Sequence, residues 1–228
     1  MATELTWLGH GSWSIATAGT AILLDPFLDE SPTSPVKAAG VQADYILVSH
    51  GHFDHVADAA AIAHRTGATI VAIHEIAEWF RSKHGVKNTL GMNLGGAVAL
   101  PFGRLKLTLA LHSSQLPDGS NGGNPGGFVL SLADGKIYFA CDTGLFSDMR
   151  LIGRAGIDLA VLPIGDLFTM GPEDALEAVR LIEPKRVIPD HYNTWPPIQQ
   201  DPHQWAARVR AATSAEACVI EPGGKVAL

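Results

Sequence analysis

The sequence predicts an α/β protein in which two β-sheets pack face to face with helices on their outer surfaces. Each half of the 228-residue chain begins with short strands joined by tight turns and then passes into strand–helix–strand units. Hydrophobic residues make up 46% of the chain and charged residues 17%, a balance typical of a compact globule. No linker rich in Gly, Ser or charge divides the chain, so we expect one domain over residues 1–228.

The first half opens with three short strands, which the turns Gly9-His10-Gly11 and Ala18-Gly19 separate. Residues 26–43 contain three prolines and are expected to be irregular, whereas residues 45–48 form an apolar run typical of a buried strand. Apolar spacing then predicts a helix, a strand and a second helix. The predicted strands cover residues 5–8, 12–17, 21–24, 45–48 and 68–73, and the predicted helices cover residues 56–65 and 75–84.

The second half follows the same order. Residues 113–127 contain five glycines and two prolines and are expected to form a loop. Asp134-Gly135 predicts a hairpin, because this pair accommodates the positive φ angles of tight turns, and Pro172 suits the first turn of a helix. The predicted strands cover residues 98–100, 104–111, 128–132, 136–140, 159–162, 186–188 and 217–220, and the predicted helices cover residues 172–182 and 203–212.

The charge balance narrows the classes of partner. Sixteen Lys and Arg residues against 23 Asp and Glu residues give a formal charge of −7, which repels polyanions and disfavours nucleic acid as a partner. The N-terminus lacks the pattern of a secretory signal, and no uncharged apolar run is long enough to cross a membrane. We therefore expect a cytoplasmic protein that acts on a small molecule.

The segment from His50 to His55, HGHFDH, carries the main chemical signal. It follows a predicted buried strand, so its side chains can converge at the end of a sheet. Imidazole and carboxylate groups bind Zn, Mn or Fe, and four such groups occur within these six positions. Four donors from so short a segment suit two adjacent ions better than one tetrahedral ion. Further candidate ligands at strand ends are His112, Asp142 and His191.

The order HGHFDH, a single His, Asp-Thr-Gly and another single His resembles the metallo-β-lactamase superfamily. The stretches TWLGHGSW, LLDPFL, ALHSS, CDTGLFSDM, PIGDLFTMGPEDA and DHYNTWPP resemble small bacterial metal-dependent hydrolases related to the ascorbate-phosphate lactonase branch. This resemblance covers nearly the whole chain. It implies a four-layer αββα sandwich with a site at one edge, between the sheets.

The resemblance also implies that two divalent metal ions are bound. The implied ligands are His50, His52 and His112 for one ion, Asp54, His55 and His191 for the other, and Asp142 as a bridge between them. Zn is the expected metal, with Mn and Fe as alternatives, because the same nitrogen and oxygen donors accept all three. Such a pair of ions activates water, so we expect hydrolysis of a small ester, lactone or phosphoester.

Other residues are candidates for supporting roles. Asp54 is a candidate for proton transfer, and His10 is either a substrate contact or part of a surface turn. Asp25 is either a turn residue or the partner of a ligand histidine, and the resemblance favours the partner. Candidates for the pocket rim and walls are Asp166, Asn193, Phe168, Met170 and Trp195, although such apolar residues are more often plain core.

Other functions remain open at this point. A metal-dependent nuclease or phosphodiesterase would need a basic binding face, and none is visible in the sequence. A di-iron redox protein would need an electron-donating flavin domain, for which the chain leaves no length. A non-catalytic metal-binding protein would keep the ligands without turnover. Homo-oligomers are possible, since the loop 113–127 can lie at a pocket rim or in an interface.

Overall fold

The computed structural model describes residues 2–228 and places fourteen strands in two seven-stranded sheets. The first sheet contains β1 (Glu4–Trp7), β2 (Trp13–Thr17), β3 (Thr20–Leu24), β4 (Tyr45–Val48), β5 (Thr69–Ile73) and β6 (Thr89–Met92). The second contains β7 (Ala97–Leu100), β8 (Gly103–Leu109), β9 (Gly126–Ser131), β10 (Lys136–Phe139), β11 (Leu159–Pro163), β12 (Arg186–Asp190) and β13 (Glu216–Ala217). The last strand, β14 (Lys225–Ala227), returns to the first sheet beside β1.

Both sheets have the same pattern of pairing. The first has the order β14-β1-β2-β3-β4-β5-β6, with antiparallel pairs as far as β3 and parallel pairs beyond it. The second has the order β7-β8-β9-β10-β11-β12-β13, with antiparallel pairs as far as β10 and parallel pairs beyond it. Each half of the chain therefore contains an antiparallel meander followed by parallel strands of strand–helix–strand units, as the sequence predicted.

Helices cover the outer faces. Their bounds are α1 (Phe53–Val56), α2 (Ala59–Thr66), α3 (His74–His84), α4 (Met149–Gly153), α5 (Pro172–Ile182) and α6 (Pro202–Ala212). The helices α2 and α3 pack on β4, β5 and β6, while α6 packs on β13 and contacts α5. One hydrophobic cluster contains buried side chains from both sheets and from the helices. The predicted αββα sandwich is therefore confirmed.

The helix predicted over residues 56–65 is α2, which begins later, at Ala59, and Asp58 lies between it and the short helix α1 that ends at Val56. The Asp58 carboxylate accepts the backbone N–H of Leu28 at 2.6 Å and that of Asp29 at 3.1 Å. Its own N–H donates to the carbonyl of Pro26 at 3.1 Å. Asp58 therefore anchors the irregular segment that contains Pro26, and α2 begins directly after it.

The glycine-rich loop ends earlier than predicted, because Gly126 and Gly127 belong to β9. A Cβ at Gly127 would lie 2.6 Å from the carbonyl oxygen of Phe139, so these glycines permit close approach of strands and do not mark a turn. The strand predicted over residues 104–111 stops at Leu109. Beyond it, the N–H of Leu111 donates to Thr143 Oγ1 at 2.9 Å.

The C-terminal strand predicted over residues 217–220 is also different. Only Glu216–Ala217 pairs with β12, and the turn at Gly223 and Gly224 then carries the chain back to Trp7 of β1. Among residues 2–228, no helix combines the length and apolar character that crossing a bilayer requires.

Candidate metal centre

The predicted ligands and their neighbours follow strands that point to one edge of the sandwich. In the first sheet, β1, β3 and β4 run in the same direction, as do β8, β10 and β12 in the second. The side chains that stand after these six strands are His10, Asp25, His50, His112, Asp142 and His191. Face-to-face packing of the sheets brings them together, although up to 181 positions separate them along the chain.

Three imidazole rings converge on one side of this edge. Nδ1 of His52 lies 3.0 Å from Nε2 of His50 and 3.2 Å from Nε2 of His112. His50 is fully buried, while His52 and His112 are partly exposed to the cleft. Each ring offers a nitrogen within 4.8 Å of the others. These are the three residues that the family resemblance implies for one ion.

A second group lies beside the first. His10, Asp54, His55 and His191 offer ligand atoms within 4.8 Å of one another. Oδ2 of Asp142 lies 3.1 Å from Nε2 of His191, 3.5 Å from Nε2 of His55 and 3.6 Å from Nε2 of His112. One carboxylate oxygen therefore contacts rings of both groups, as expected of a bridging ligand. All seven predicted ligands lie together.

Asp25 orients the ring of His55. Its Oδ2 accepts from Nδ1 of His55 at 2.9 Å and from Oγ of Ser49 at 2.5 Å, and its Oδ1 accepts the Ser49 N–H at 2.7 Å. The side chain is thus the partner of a candidate ligand as well as a turn residue. With Nδ1 engaged, Nε2 of His55 is left to face Asp142.

His10 lies behind Asp54 and not on the surface. Its ring is fully buried, with Nε2 3.1 Å from Oδ2 of Asp54 and Nδ1 2.8 Å from Oγ1 of Thr194. The ring centroid is 3.9 Å from that of His191. His10 is therefore placed to orient Asp54, a contact that the expected surface turn did not include.

Backbone strain marks the turns at the site. His10, Asp25 and His191 have φ angles of 52°, 43° and 51°, in the left-handed region that non-glycine residues adopt uncommonly. At each of them the chain leaves its strand sharply. The N–H of His191 also donates to the carbonyl of His10 at 3.2 Å, which joins the turns of the two sheets.

Burial keeps most of the imidazoles neutral. It lowers the pKa of His50 well below its ordinary value and also lowers the pKa values of His52 and His112. Burial, with the neighbouring His191, lowers the pKa of His10 to about 3. Neutral imidazole is the form that binds a metal ion, so these rings are ready to act as ligands at neutral pH.

The pKa values of Asp142 and Asp54 are lowered, which favours their negatively charged forms. Burial acts to raise the pKa of Asp142, but His191 and His55 hold it well below its ordinary value. Burial also acts to raise the pKa of Asp54, but His55 and the hydrogen bond from His10 hold it below its ordinary value. Conversely, burial acts to lower the pKa values of His55 and His191, and Asp142 raises both. The region between these groups therefore favours a cation.

Unpartnered nitrogens show that the donor set fits metal ions. Nε2 of His55 and both ring nitrogens of His191 are buried and have no hydrogen-bond partner among residues 2–228. The distance of 3.1 Å from His191 to Asp142 is short, but its direction is not that of a hydrogen bond. Buried polar atoms seldom remain unpaired, and ligation would satisfy them. Imidazole and carboxylate donors suit Zn, Mn or Fe.

A cavity of about 590 Å³ opens over this cluster. Five of the predicted ligands reach it, namely His52, Asp54, His112, Asp142 and His191. Of the expected wall residues, Phe168 and Trp195 line the cavity, whereas Met170 is buried in the core. The expected rim residues Asp166 and Asn193 are not among its lining residues.

Three hydroxyl groups at the site were not predicted. Ser49 bonds to Asp25 and lies 3.0 Å from Nδ1 of His50, Ser113 Oγ lies 3.2 Å from Nε2 of His52, and Thr194 contacts His10. Ser49 and Ser113 adjoin predicted ligands in the sequence, which is the signal that would have found them.

Comparison with known proteins gives the family. A model described as "Beta-lactamase superfamily domain" matches residues 20–192. A UPF0173 metal-dependent hydrolase of Pelotomaculum thermopropionicum is 48% identical over 230 residues, with 99% of this chain and 100% of the relative covered. A protein with the same description from Thermus thermophilus is 49% identical over 220 residues, with 96% of each chain covered.

A solved structure agrees with these relatives. The structure of Igni18, a metallo hydrolase from the archaeon Ignicoccus hospitalis, superposes with a TM-score of 0.91 at 36% identity. The match covers 100% of this chain and 99% of the other. The family model spans most of the chain, and the sequence relatives span nearly all of it. The chain therefore belongs to the metallo-β-lactamase superfamily, among relatives named metal-dependent hydrolases.

Proposed function

We propose that this protein is a hydrolase that uses two divalent metal ions to cleave a small ester, lactone or phosphoester. The observation that carries the proposal is the pair of adjacent donor groups with the Asp142 carboxylate between them. The names of the relatives, metal-dependent hydrolases, support the reaction class. Zn is the proposed metal, with Mn and Fe as alternatives.

In this proposal the ligands divide between the two ions as the family resemblance implies. His50, His52 and His112 would hold one ion, Asp54, His55 and His191 would hold the other, and Asp142 would be shared by both. Bound at such a site, two divalent ions supply a water molecule of lowered pKa and stabilise negative charge on the substrate. The cavity over the cluster holds the substrate beside His52, Asp54 and His112.

Asp54 is the proposed proton carrier, because its carboxylate reaches both the second donor group and the cavity. His10 is a positioning residue, since its Nε2 lies 3.1 Å from that carboxylate and its ring does not line the cavity. Thr194 holds the other ring nitrogen of His10. This arrangement fixes the Asp54 oxygen that would exchange a proton with water or the leaving group.

The test combines metal analysis with a hydrolysis screen. Protein purified without added metal is assayed for Zn, Mn and Fe and for turnover of ester, lactone and phosphodiester substrates. We expect close to two ions per chain in the wild type. The variants His52→Ala and Asp142→Ala should lose metal and turnover together, whereas the control His203→Ala, an exposed histidine on α6, should keep both.

Two results would contradict the proposal. Full metal occupancy in both variants would refute the ligand assignment. Two bound ions without turnover of any substrate tested would favour a non-catalytic metal-binding protein.

A further inference from the structure

The cleft over the candidate metal centre has an apolar rim. Phe53, Leu167 and Phe168 line the cavity although 53%, 65% and 55% of their surfaces are exposed. Leu116, Pro117 and Trp195 complete the apolar part of the wall. Large apolar side chains gathered at one cavity indicate contact with an apolar ligand.

The same cavity lacks side chains that would neutralise an anion. Among the described residues that line it there is no Lys and no Arg, and its carboxylates are Asp54 and Asp142. Its other polar groups include the neutral side chains of Ser113 and Gln115. An anionic group on a part of the substrate that lies against the rim, away from the candidate metal ligands, would leave water without an ionic partner among the rim side chains, which is unfavourable.

The turn that contains the rim residues Leu167 and Phe168 has a fixed backbone conformation. Asp166 and Leu167 have φ angles of 63° and 39°, and the N–H of Thr169 donates to the Asp166 carbonyl at 2.9 Å. The N–H of Met170 donates to the carbonyl of Thr143 at 2.9 Å, one residue after Asp142. The backbone therefore holds Leu167 and Phe168 at the cavity that Asp142 also lines.

We infer that the substrate of the proposed hydrolase is a neutral carboxylic ester or lactone whose apolar acyl arm packs on Leu167 and Phe168. Anions on that arm are disfavoured. Water adds to the acyl carbon and the bond to the alcohol oxygen breaks. The alcohol leaves with one proton of the water, and the acid carries the water oxygen and the other proton. This inference rests on the proposed function and names its substrate class.

The activity test uses two esters that differ at the far end of the arm. p-Nitrophenyl hexanoate ends in a methyl group, and mono-p-nitrophenyl adipate ends in a carboxylate at the same carbon. We expect kcat/KM for the hexanoate to be about ten-fold higher or more, because the carboxylate would be desolvated against an apolar wall. Equal values, or a preference for the adipate, would overturn the inference.

A charge added to the rim should change this preference. Leu167→Lys should narrow the hexanoate-to-adipate ratio several-fold, since it provides a partner for the carboxylate. Leu151→Lys is the matched control, because Leu151 is also an exposed leucine, at 52%, but lies on α4 outside the cavity. An equal effect of both variants would show that net charge, and not the cavity wall, sets the preference, which would contradict the inference.

A binding measurement separates this inference from the proposed function. Hexananilide and the monoanilide of adipic acid are titrated into the protein as purified, without removal of metal, with fluorescence of Trp195 in the cavity wall as the signal and Trp195→Phe as the reference. We expect hexananilide to bind about ten-fold more tightly, by the same desolvation argument. If no ester is hydrolysed but this preference is present, the proposed function fails and the cavity preference stands. If the preference is absent, the inference fails whatever the turnover.

Discussion

Nδ1 of His55 donates to Oδ2 of Asp25 at 2.9 Å, and both side chains are almost completely buried. The carboxylate is itself held by the N–H and the hydroxyl group of Ser49. The ring of His55 is therefore fixed before any ligand arrives, with Nε2 directed toward Asp142. Contacts of this kind set the tautomer and orientation of a histidine ligand and strengthen metal binding.

Asp25→Asn should weaken metal binding with little change of fold. Asn tolerates the φ angle of 43° at this position but cannot stabilise positive charge on His55 as a carboxylate does. We expect metal affinity to fall by about 10-fold to 100-fold, measured by competition with a chromophoric chelator. Asp44→Asn is the control, because Asp44 also accepts a backbone N–H, that of Ala21, but is exposed and remote from the cluster. Unchanged affinity in Asp25→Asn would show that the contact does not support a ligand.

The candidate ligands that the structure brings together could be predicted from the sequence because their signal is local. HGHFDH places four donors in one loop, and the remaining three follow apolar runs that read as strands. The contacts that support the ligands could not be predicted in this way. The bond of His10 to Thr194 joins residues 184 positions apart, and nothing near His10 in the sequence indicates that its ring is buried.

In the fold, too, elements with a local sequence signal could be predicted, whereas elements defined by distant partners could not. Buried strands such as Leu159–Pro163 are apolar at every position and were predicted from that run. Two strands and one α-helix lie wholly outside the predicted elements, namely Thr89–Met92, Met149–Gly153 and Lys225–Ala227. The first and last are strands with partly or fully exposed residues, and Lys225–Ala227 pairs with the other end of the chain. Such strands are defined by their partners, which a local pattern does not contain.

Removal of metal should lower the thermal midpoint of unfolding. An ion that binds only the folded state stabilises it by about 2.7 kcal/mol when free metal is at 100 times Kd. For a domain of this size, 1 kcal/mol corresponds to roughly 2–4 °C. We expect excess chelator to lower the midpoint by several degrees and added Zn to restore it, as followed by circular dichroism. Asp142→Ala should respond much less than the wild type, and an equal response of both would contradict a role of Asp142 in binding the ions.

Thr194→Val should affect catalysis through His10. Valine keeps the shape of threonine but leaves Nδ1 of His10 without its partner at 2.8 Å, in a site that is almost fully buried. An unsatisfied buried group costs about 1–3 kcal/mol, which denaturant unfolding would measure. We also expect kcat to fall while metal content stays the same, because Asp54 loses its fixed neighbour. Thr194→Ser keeps the hydroxyl group and should restore both values, so similar losses in the two variants would exclude this explanation.

Asp158 should make stability depend on pH, at a position remote from the metal centre. Its Oδ1 lies 2.7 Å from Nζ of Lys185, and its Oδ2 accepts the N–H of Lys136 at 2.8 Å. The hydrogen bond with Lys185 and, less strongly, the N–H of Lys136 lower the pKa of Asp158 below its ordinary value of 3.8, against a smaller opposing effect of burial. The stabilisation is therefore complete above pH 3.8 and is lost as the pH falls through the lower value of the folded state.

Asp158→Asn should accordingly be less stable than the wild type at pH 7 by about 1 kcal/mol, since its partly exposed ion pair is screened by solvent. The difference should shrink as the pH falls below the folded pKa, where the wild-type carboxyl is also neutral. Urea unfolding of both proteins between pH 2 and pH 7, roughly the range over which such a group titrates, would measure this change. Glu30→Gln is the control, because Glu30 is exposed and has no hydrogen bond or ion pair within residues 2–228. A destabilisation of Asp158→Asn that stayed constant over this range would show that the amide disturbs packing and that the charge on Asp158 contributes nothing.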